Sequence, residues 1–282
     1  AVAAAPHAAF QHEVHAQLFR HLADVDGLTL VDEARIAGDH PLKIIKIRKS
    51  HERFRSTREW LNSMHSFSFA EHRDPKWDNF GKIRVINEDI ISPNAGFNTH
   101  SHANMEIITV VTKGAITHRD SLNNLGKIHK DEVQVMSAGT GISHSEKNEE
   151  NENCKLFQIW IYPQKENIKP RYDQISLNEK LWDNLIFNYK DGKNNKLFLN
   201  QSISLWRCKY KPIKEKKLPL KIDKYNWIQI IEGDLFLKSK DSNSNIFLDS
   251  GDGLGFEVNN YDDVTIDTEK NLDFLLFSMP SL

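Results

Sequence analysis

The sequence predicts an all-β protein of two tandem antiparallel β-domains, and three observations carry that prediction. From Lys43 onward the chain is a series of short runs rich in Ile, Val, Thr and Phe: KIIKIRK, HSFSFA, KIRVINEDII, EIITVVTKGAITHRD, EVQVMSA and KLFQIWIYP. Their period of two, and their separation by Gly, Asn, Asp or Pro clusters, argue for strands rather than helices, in a β-sandwich or barrel. Later in the chain, IIEGDLFLK followed by LDSGDGLGF echoes VVTKGAITH followed by KDEVQVMSA, a repeat at the level of architecture. Finally, 282 residues suit two ordinary domains, each able to bury a core.

Residues 1–42 stand apart, with ten alanines and five histidines but no lysine, asparagine or serine. Phe10, Val14, Leu18, Leu22 and Val25 recur at helical spacing, so a short amphipathic helix is expected before the Asp26–Gly27 turn, then a strand at Leu28 to Val31. His12, His15 and His21 lie on that helix without carboxylates arranged for a metal. The segment reads as an appended or engineered extension with solvent-facing histidines. The first β-domain is expected over 43–174. Its end, QKENIKPRYDQ after Pro163, reads as a linker region, and ISLNEKLWDNLI as a helix opening the second domain, 175–282. Strands resume with KLFLN, SISLWRCKY, WIQIIEGDLFLKS, NIFLDSGDGLGFEV, DVTIDT and NLDFLLFSM. The lysine-rich run Lys209 to Lys224, broken by two prolines, Glu215 and Asp223, reads as a solvated loop or sheet edge.

Lys+Arg 37 against Asp+Glu 39 gives a net charge of −2, which favours neither nucleic acid nor an anionic membrane surface as a partner. There is no membrane-length apolar run and no signal-peptide pattern at the start, so the expectation is a soluble cytoplasmic monomer. Cys154 and Cys208 are far apart and read as free thiols.

Chemistry concentrates between Gly96 and Glu146, which hold His100, His102, His118, His144, Glu106 and Glu146. Strand side chains alternate faces, so His100, His102 and Glu106 share a face if their strand is regular, and His144 shares one with Glu146. If the two strands oppose each other, three imidazoles and one or two carboxylates converge. Such a set suits Fe, Cu, Ni, Mn or Zn and leaves coordination positions open. Parity alone does not choose between Glu106 and Glu146. His118 has matching parity and reads as a supporting or core residue, since a fourth imidazole would close the site. His65 and His129 have weaker claims. All 13 histidines lie at or before His144, which confines any histidine-based site to the first domain.

GFNTHSHANMEI with SAGTGISHSE downstream resembles the pirin family of the cupin superfamily. The flanking HSFSFA, RVINEDII, FQIWIYP and KPRYDQ resemble its bacterial pirin-like quercetinase branch. The resemblance implies a bicupin, two tandem antiparallel barrels or jelly rolls with few short helices, and a metal only in the first. It implies His100, His102, His144 and Glu146 as ligands, with iron the leading metal, and it prefers Glu146 to Glu106. Two departures occur in the motifs: three residues separate Gly96 from His100, as is usual for pirins, and Lys130 stands where glycine is usual, which bears on a turn alone.

The resemblance further implies quercetin 2,3-dioxygenase chemistry, an oxidoreductase reaction opening a flavonol with O2 and releasing CO, with Glu146 as base. Phe67, Phe69, Phe97, Met105, Ile107 and Met136 are candidates for apolar pocket walls as well as core. The alternative implied is a metal- and redox-responsive regulator acting through a protein partner, without turnover.

Overall fold

The computed structural model describes residues 42–177, 183–187, 197–219, 225–240 and 245–280. The helix and strand expected before Leu42, and the histidines they carry, lie outside the described residues. The first half contains β1 (Leu42–Arg48), β2 (Phe54–Arg58), β3 (Leu61–His65), β4 (Ile83–Ile91), β5 (Ala95–His102), β6 (Glu106–Lys113), β7 (Ala115–Asp120), β8 (Leu125–His129), β9 (Glu132–Ser137), β10 (Ile142–Asn148), β11 (Cys154–Ile161) and β12 (Arg171–Ser176). The second contains β13 (Asp183–Phe187), β14 (Ser204–Tyr210), β15 (Ile213–Lys217), β16 (Tyr225–Glu232), β17 (Asp234–Ser239), β18 (Ile246–Asp249), β19 (Gly253–Val258), β20 (Val264–Thr268) and β21 (Leu272–Met279). Among the described residues the helices are single 3-10 turns at Ser50–Glu52, Pro75–Trp77 and Tyr261–Asp263. The all-β class expected from the periodicity is the class observed.

The strands form four sheets. A seven-stranded sheet, β12-β9-β6-β11-β4-β3-β2, faces a four-stranded one, β5-β10-β7-β8. A six-stranded sheet, β1-β19-β16-β21-β14-β13, is accompanied by β15-β20-β17-β18. The first strand of the described chain thus belongs to a sheet of the second half, pairing Leu42 with Val258 and Arg48 with Gly253. Local periodicity could not show this, because it identifies a strand without naming its partner.

Side-chain parity divides the seven-stranded sheet into two working faces. Ile108, Val110, Val133, Val135, Phe157, Ile159 and Ile161 point to one core, where they meet Ile203, Leu205, Trp227, Leu275 and Phe277 of the second half. Phe67 and Phe80 join them, their rings 4.9 and 5.2 Å from that of Trp227. The alternate residues Ile107, Thr109, Met136, Gln158 and Trp160 face the four-stranded sheet. Strands covered on both faces read as near-continuous apolar runs, which is why EIITVVT and KLFQIWI do not alternate cleanly. The second half fills its own interior with Trp206, Ile228, Ile230, Leu235, Leu254, Phe256, Ile266 and Phe274.

Several local expectations change. Ser176 closes β12 and Asp183 opens β13, so the ends of the stretch expected as a helix are strands, its middle lying outside the described residues. Part of the expected linker is also strand, because Arg171 to Ser176 completes the edge of β9 in six registered pairs, and pairing overrides propensity. The strand expected at HSFSFA ends at His65, where Ser66 turns away to bond Gln229 of the second half at 2.9 Å. Leu197–Asn200 is not a strand, although Leu197 is buried. Within the lysine-rich run, Ile213–Lys217 forms β15, an exposed edge as expected. At Lys130 the turn takes its left-handed residue one position later, at Asp131 with φ 64°.

That Asp131 turn is tied to the second half. Arg207 on β14 is 1% exposed, with Nη1 2.8 Å from Asp131 and Nε and Nη2 at 3.1 and 2.8 Å from the Asp273 carboxylate. Burial pushes the Asp131 carboxyl up, but the Lys209 hydrogen bond and the Arg207 charge outweigh it and hold the group below its usual range. Its stabilisation is therefore complete above the unfolded value near 4 and disappears as pH falls through the lower folded value. Arg207→Ala should cost about 3 kcal/mol, because it takes the guanidinium from the partly buried Asp273 carboxylate and leaves Asp131 with Lys209 alone, and should lower the urea midpoint at pH 7. An unchanged midpoint would show the ion pairs to be dispensable.

Candidate metal centre

Two neighbouring antiparallel strands supply the site. On β5 and β10, His100 lies opposite His144 and His102 opposite Ile142; the register then shifts, so that Glu146 lies opposite Phe97. On the other side of β10, His118 of β7 lies opposite Glu146, and Asp120 opposite His144. Close approach at the shift depends on Gly96, since a Cβ there would stand 2.1 Å from the Glu146 carbonyl oxygen.

The sheet brings together the rings of His100 and His144 at 4.4 Å between centroids, His100 and His102 at 4.9 Å, and His102 and His144 at 5.0 Å. One potential ligand atom from each of these three lies within 4.8 Å of the others. A second group meeting the same limit is His118, His144 and Glu146, so His144 is common to both. His100 Nδ1 lies 2.8 Å from the Asn98 carbonyl oxygen, which can only accept; Nδ1 therefore carries hydrogen, which in the neutral ring leaves the lone pair on Nε2. His144 Nε2 is buried and has no hydrogen-bond partner in the protein. Burial, then the neighbouring His144 and His100, bring His102 down to about 4, with Glu146 partly opposing. Burial, then His100 and His118, bring His144 down to about 3. Neutral imidazoles with a buried, unpartnered lone pair fit a transition metal.

The Glu146 carboxylate is held from the facing sheet. Gln158 Nε2 donates to Oε2 at 2.8 Å and Thr109 Oγ1 to Oε1 at 3.3 Å, while Gln134 Nε2 donates to Thr109 at 3.4 Å. Glu106 is placed elsewhere and belongs to neither group. Its Oε2 accepts from Ser137 Oγ at 2.7 Å and from the Asn200 backbone N–H at 3.0 Å, and burial raises its carboxyl above the usual range. The premise of a regular strand from His100 to Glu106 fails at Ala103–Met105. There Asn104 takes φ 48° and the chain passes from the four-stranded to the seven-stranded sheet.

Of the apolar candidates, Phe97 stands 6.4 Å from the His100 ring. Phe69 approaches only through Trp160, 5.4 Å away, whose own ring meets His102 edge-on at 5.0 Å. Met105, Ile107 and Met136 pack together with Ile142 and Trp160, and Phe67 sits in the core between the halves. A cleft of about 350 Å³ reaches His102 and is lined by Ser101, Ala103, Ser121, Gly141, Ile142 and Ser143. His65 is engaged with Asn87 and Ser56 away from this cluster, at 2.8 and 2.9 Å. Sequence reasoning missed Thr109, Asp120, Gln134, Gln158 and Trp160. The two glutamines carried a signal, each being a lone polar residue inside an otherwise apolar strand run.

Comparisons with known proteins identify the family. Residues 47–161 match the family model described as pirin, and 187–279 that of the quercetinase C-terminal cupin domain. A quercetin 2,3-dioxygenase of Escherichia coli is 34% identical over 240 residues, covering 84% of this chain and 99% of the relative. A Pasteurella multocida protein, named provisionally for the same activity, is 36% identical over 241 residues, covering 84% of this chain and all of its own length. The crystal structure of a bacterial pirin from Escherichia coli in complex with nickel(II) superposes with a TM-score of 0.75 at 33% identity, covering 84% and 99% of the two chains.

Two outcomes are expected. Glu146→Gln should weaken nickel(II) binding by about 100-fold or more, beyond the 10–100-fold typical of losing an outer partner, while Glu106→Gln binds as the parent does. Metal titration of both variants checks this, and loss confined to Glu106→Gln would reverse the assignment. Since His102 and His144 have folded values below the unfolded 6.5, they contribute nothing above that pH. Below it, the unfolded chain takes up protons that the fold refuses. The metal-free protein should therefore lose stability from about pH 6.5 downward, read as a falling urea midpoint.

Proposed function

The chain belongs to the pirin family, and from that premise we propose that it is a metal-dependent dioxygenase of the quercetin 2,3-dioxygenase type. Its substrates would be a flavonol-like aromatic and O2. The observation that carries this reading is the cluster of three imidazoles beside a cleft that reaches His102, with the buried carboxylate of Glu146 grouped with one of them, His144. His100, His102, His144 and Glu146 would hold one divalent transition metal. Iron leads; copper, nickel, manganese and zinc suit the same donors.

A bound metal would supply Lewis acidity toward the flavonol 3-hydroxyl and a meeting point for that anion and dioxygen. Within the chain, Glu146 is the group suited to take the 3-hydroxyl proton, because its carboxylate borders the histidine cluster. Gln158 and Thr109 fix the plane of that carboxylate, so the proton acceptor does not need to reorganise. Trp160 and Phe97 supply apolar surface next to His102 and His100 for an aromatic ring. Opening the central heterocycle places both oxygen atoms in the products and releases one ring carbon as CO.

Metal-reconstituted protein given quercetin in air should consume O2 and release CO in equal amounts. His102→Ala should reduce the rate by more than about 100-fold, exceeding what loss of an outer partner costs. A fully loaded site that leaves quercetin intact would sink the enzymatic reading and favour a metal-responsive regulator working through a protein partner.

A further inference from the structure

His118 is a buried histidine beside the proposed ligands with no role in the reading above. Its side chain and that of Asp120 are both 0% exposed. Nε2 of His118 stands 3.0 Å from Asp120 Oδ2, and its Nδ1 stands 3.3 Å from Nδ1 of His144. Asp120 is fixed in turn by the β7–β8 hairpin. Its Oδ1 accepts the backbone N–H of Leu122 at 2.9 Å and of Asn124 at 3.0 Å, and Asn124 Nδ2 reaches both carboxylate oxygens.

Resting on the metal reading above, we propose that Asp120 and His118 form a two-link relay that sets the tautomer of His144, leaving its Nε2 lone pair as the metal ligand. Both are positioning residues, acting through His144.

Donors and acceptors follow by elimination. A carboxylate accepts only, so His118 Nε2 must carry hydrogen. Burial pushes the Asp120 carboxyl up, but bonds from His118, Asn124 and Leu122 outweigh it and keep the group ionised. In the relay His118 is the neutral imidazole, which has one N–H, so its Nδ1 is bare and accepts. The donor facing it is His144 Nδ1, which must then carry the hydrogen of that ring. His144 Nε2 is left with its lone pair, and this is the buried atom that has no protein partner. The same assignment removes His118 as a rival ligand, because its Nδ1 lone pair is already engaged. Orienting a ligating imidazole through its second nitrogen is a general device of metal sites, here extended by one further ring.

Asp120→Asn tests the relay. Two backbone N–H groups require an acceptor at the Oδ1 position, so the amide NH2 must occupy the Oδ2 position and face His118 Nε2. His118 then accepts at Nε2 and donates from Nδ1, and His144 is driven to carry its hydrogen on Nε2, with no change in net protonation. Long-range proton–nitrogen NMR of the 15N-labelled, metal-free protein at pH 8 reads both tautomers directly. The parent should show hydrogen on His144 Nδ1 and His118 Nε2; Asp120→Asn should show both inverted. Nickel(II) affinity, measured by competition with a chelator, should fall about 10–100-fold in the variant. A parent His144 protonated on Nε2 overturns the proposal, and that measurement needs no variant to fold. Unchanged tautomers and affinity in Asp120→Asn overturn it equally. If the parent binds no nickel(II), the metal reading fails, while the spectra still decide the relay.

Discussion

Burial of the seven-stranded sheet on both faces constrains the rest of the described chain. One face must be apolar enough to pack on the second half, where Ile159, Val135 and Phe157 meet Trp227 and Phe277. The other must close the space above the four-stranded sheet, and there it is partly polar. A buried polar group costs roughly 1–3 kcal/mol when unpaired, so Thr109, Gln134 and Gln158 are tolerable only as a connected set. They meet at Glu146, Gln134 donating to Thr109 while Thr109 and Gln158 donate to the carboxylate. The carboxylate is therefore fixed from two sides, by the backbone of β10 and by the polar row of the opposing sheet.

The site that results is electrostatically incomplete. Three imidazoles with centroids 4.4–5.0 Å apart cannot all be protonated, and the Glu146 hydrogen bonds come from neutral Gln158 and Thr109 rather than from a cation. Glu146 is only 2% exposed, so it has exchanged water for those neutral donors without a cation beside it. A divalent cation among the lone pairs would relieve both problems, replacing protons that the histidines refuse and neutralising the carboxylate. Such a cation belongs to the folded state alone and would stabilise it by mass action.

What could be read from the sequence follows from which rules are local. Alternation is local, so the strands, the pairing of His100 with His102 on one face, and the link between His144 and Glu146 were visible in the residues themselves. Sheet membership is not local: nothing in KIIKIR indicates that it pairs with Gly253–Val258, and nothing in HANME states that Asn104 carries the chain from one sheet to another. The parity of Glu106 failed for that reason, since counting residues assumes a strand that the turn interrupts. The described ends of ISLNEKLWDNLI met the same limit, because residues 175–176 and 183–186 belong to strands that pair at sheet edges. Asp120 carried no signal, being one of many Asp residues near a turn, and its importance appears only when His118 is seen between it and His144.

The fate of Glu106 ties these strands of reasoning together. It stands four residues after His102, where a regular strand would have aimed it at the metal, yet its carboxyl faces Ser137 and the backbone N–H of Asn200. Asn200 lies between β13 and β14 of the second half, so this carboxylate fastens the two halves where β6 begins. Burial raises the Glu106 carboxyl above the usual range, and the Asn200 and Ser137 donors partly oppose that rise. The same turn that removes Glu106 from the site places Met105 and Ile107 against Trp160 and Ile142, closing the space beside His102 with apolar surface. Passing from sheet to sheet at Asn104 thus removes one potential ligand and leaves Glu146 as the carboxylate that the polar row of the facing sheet can orient.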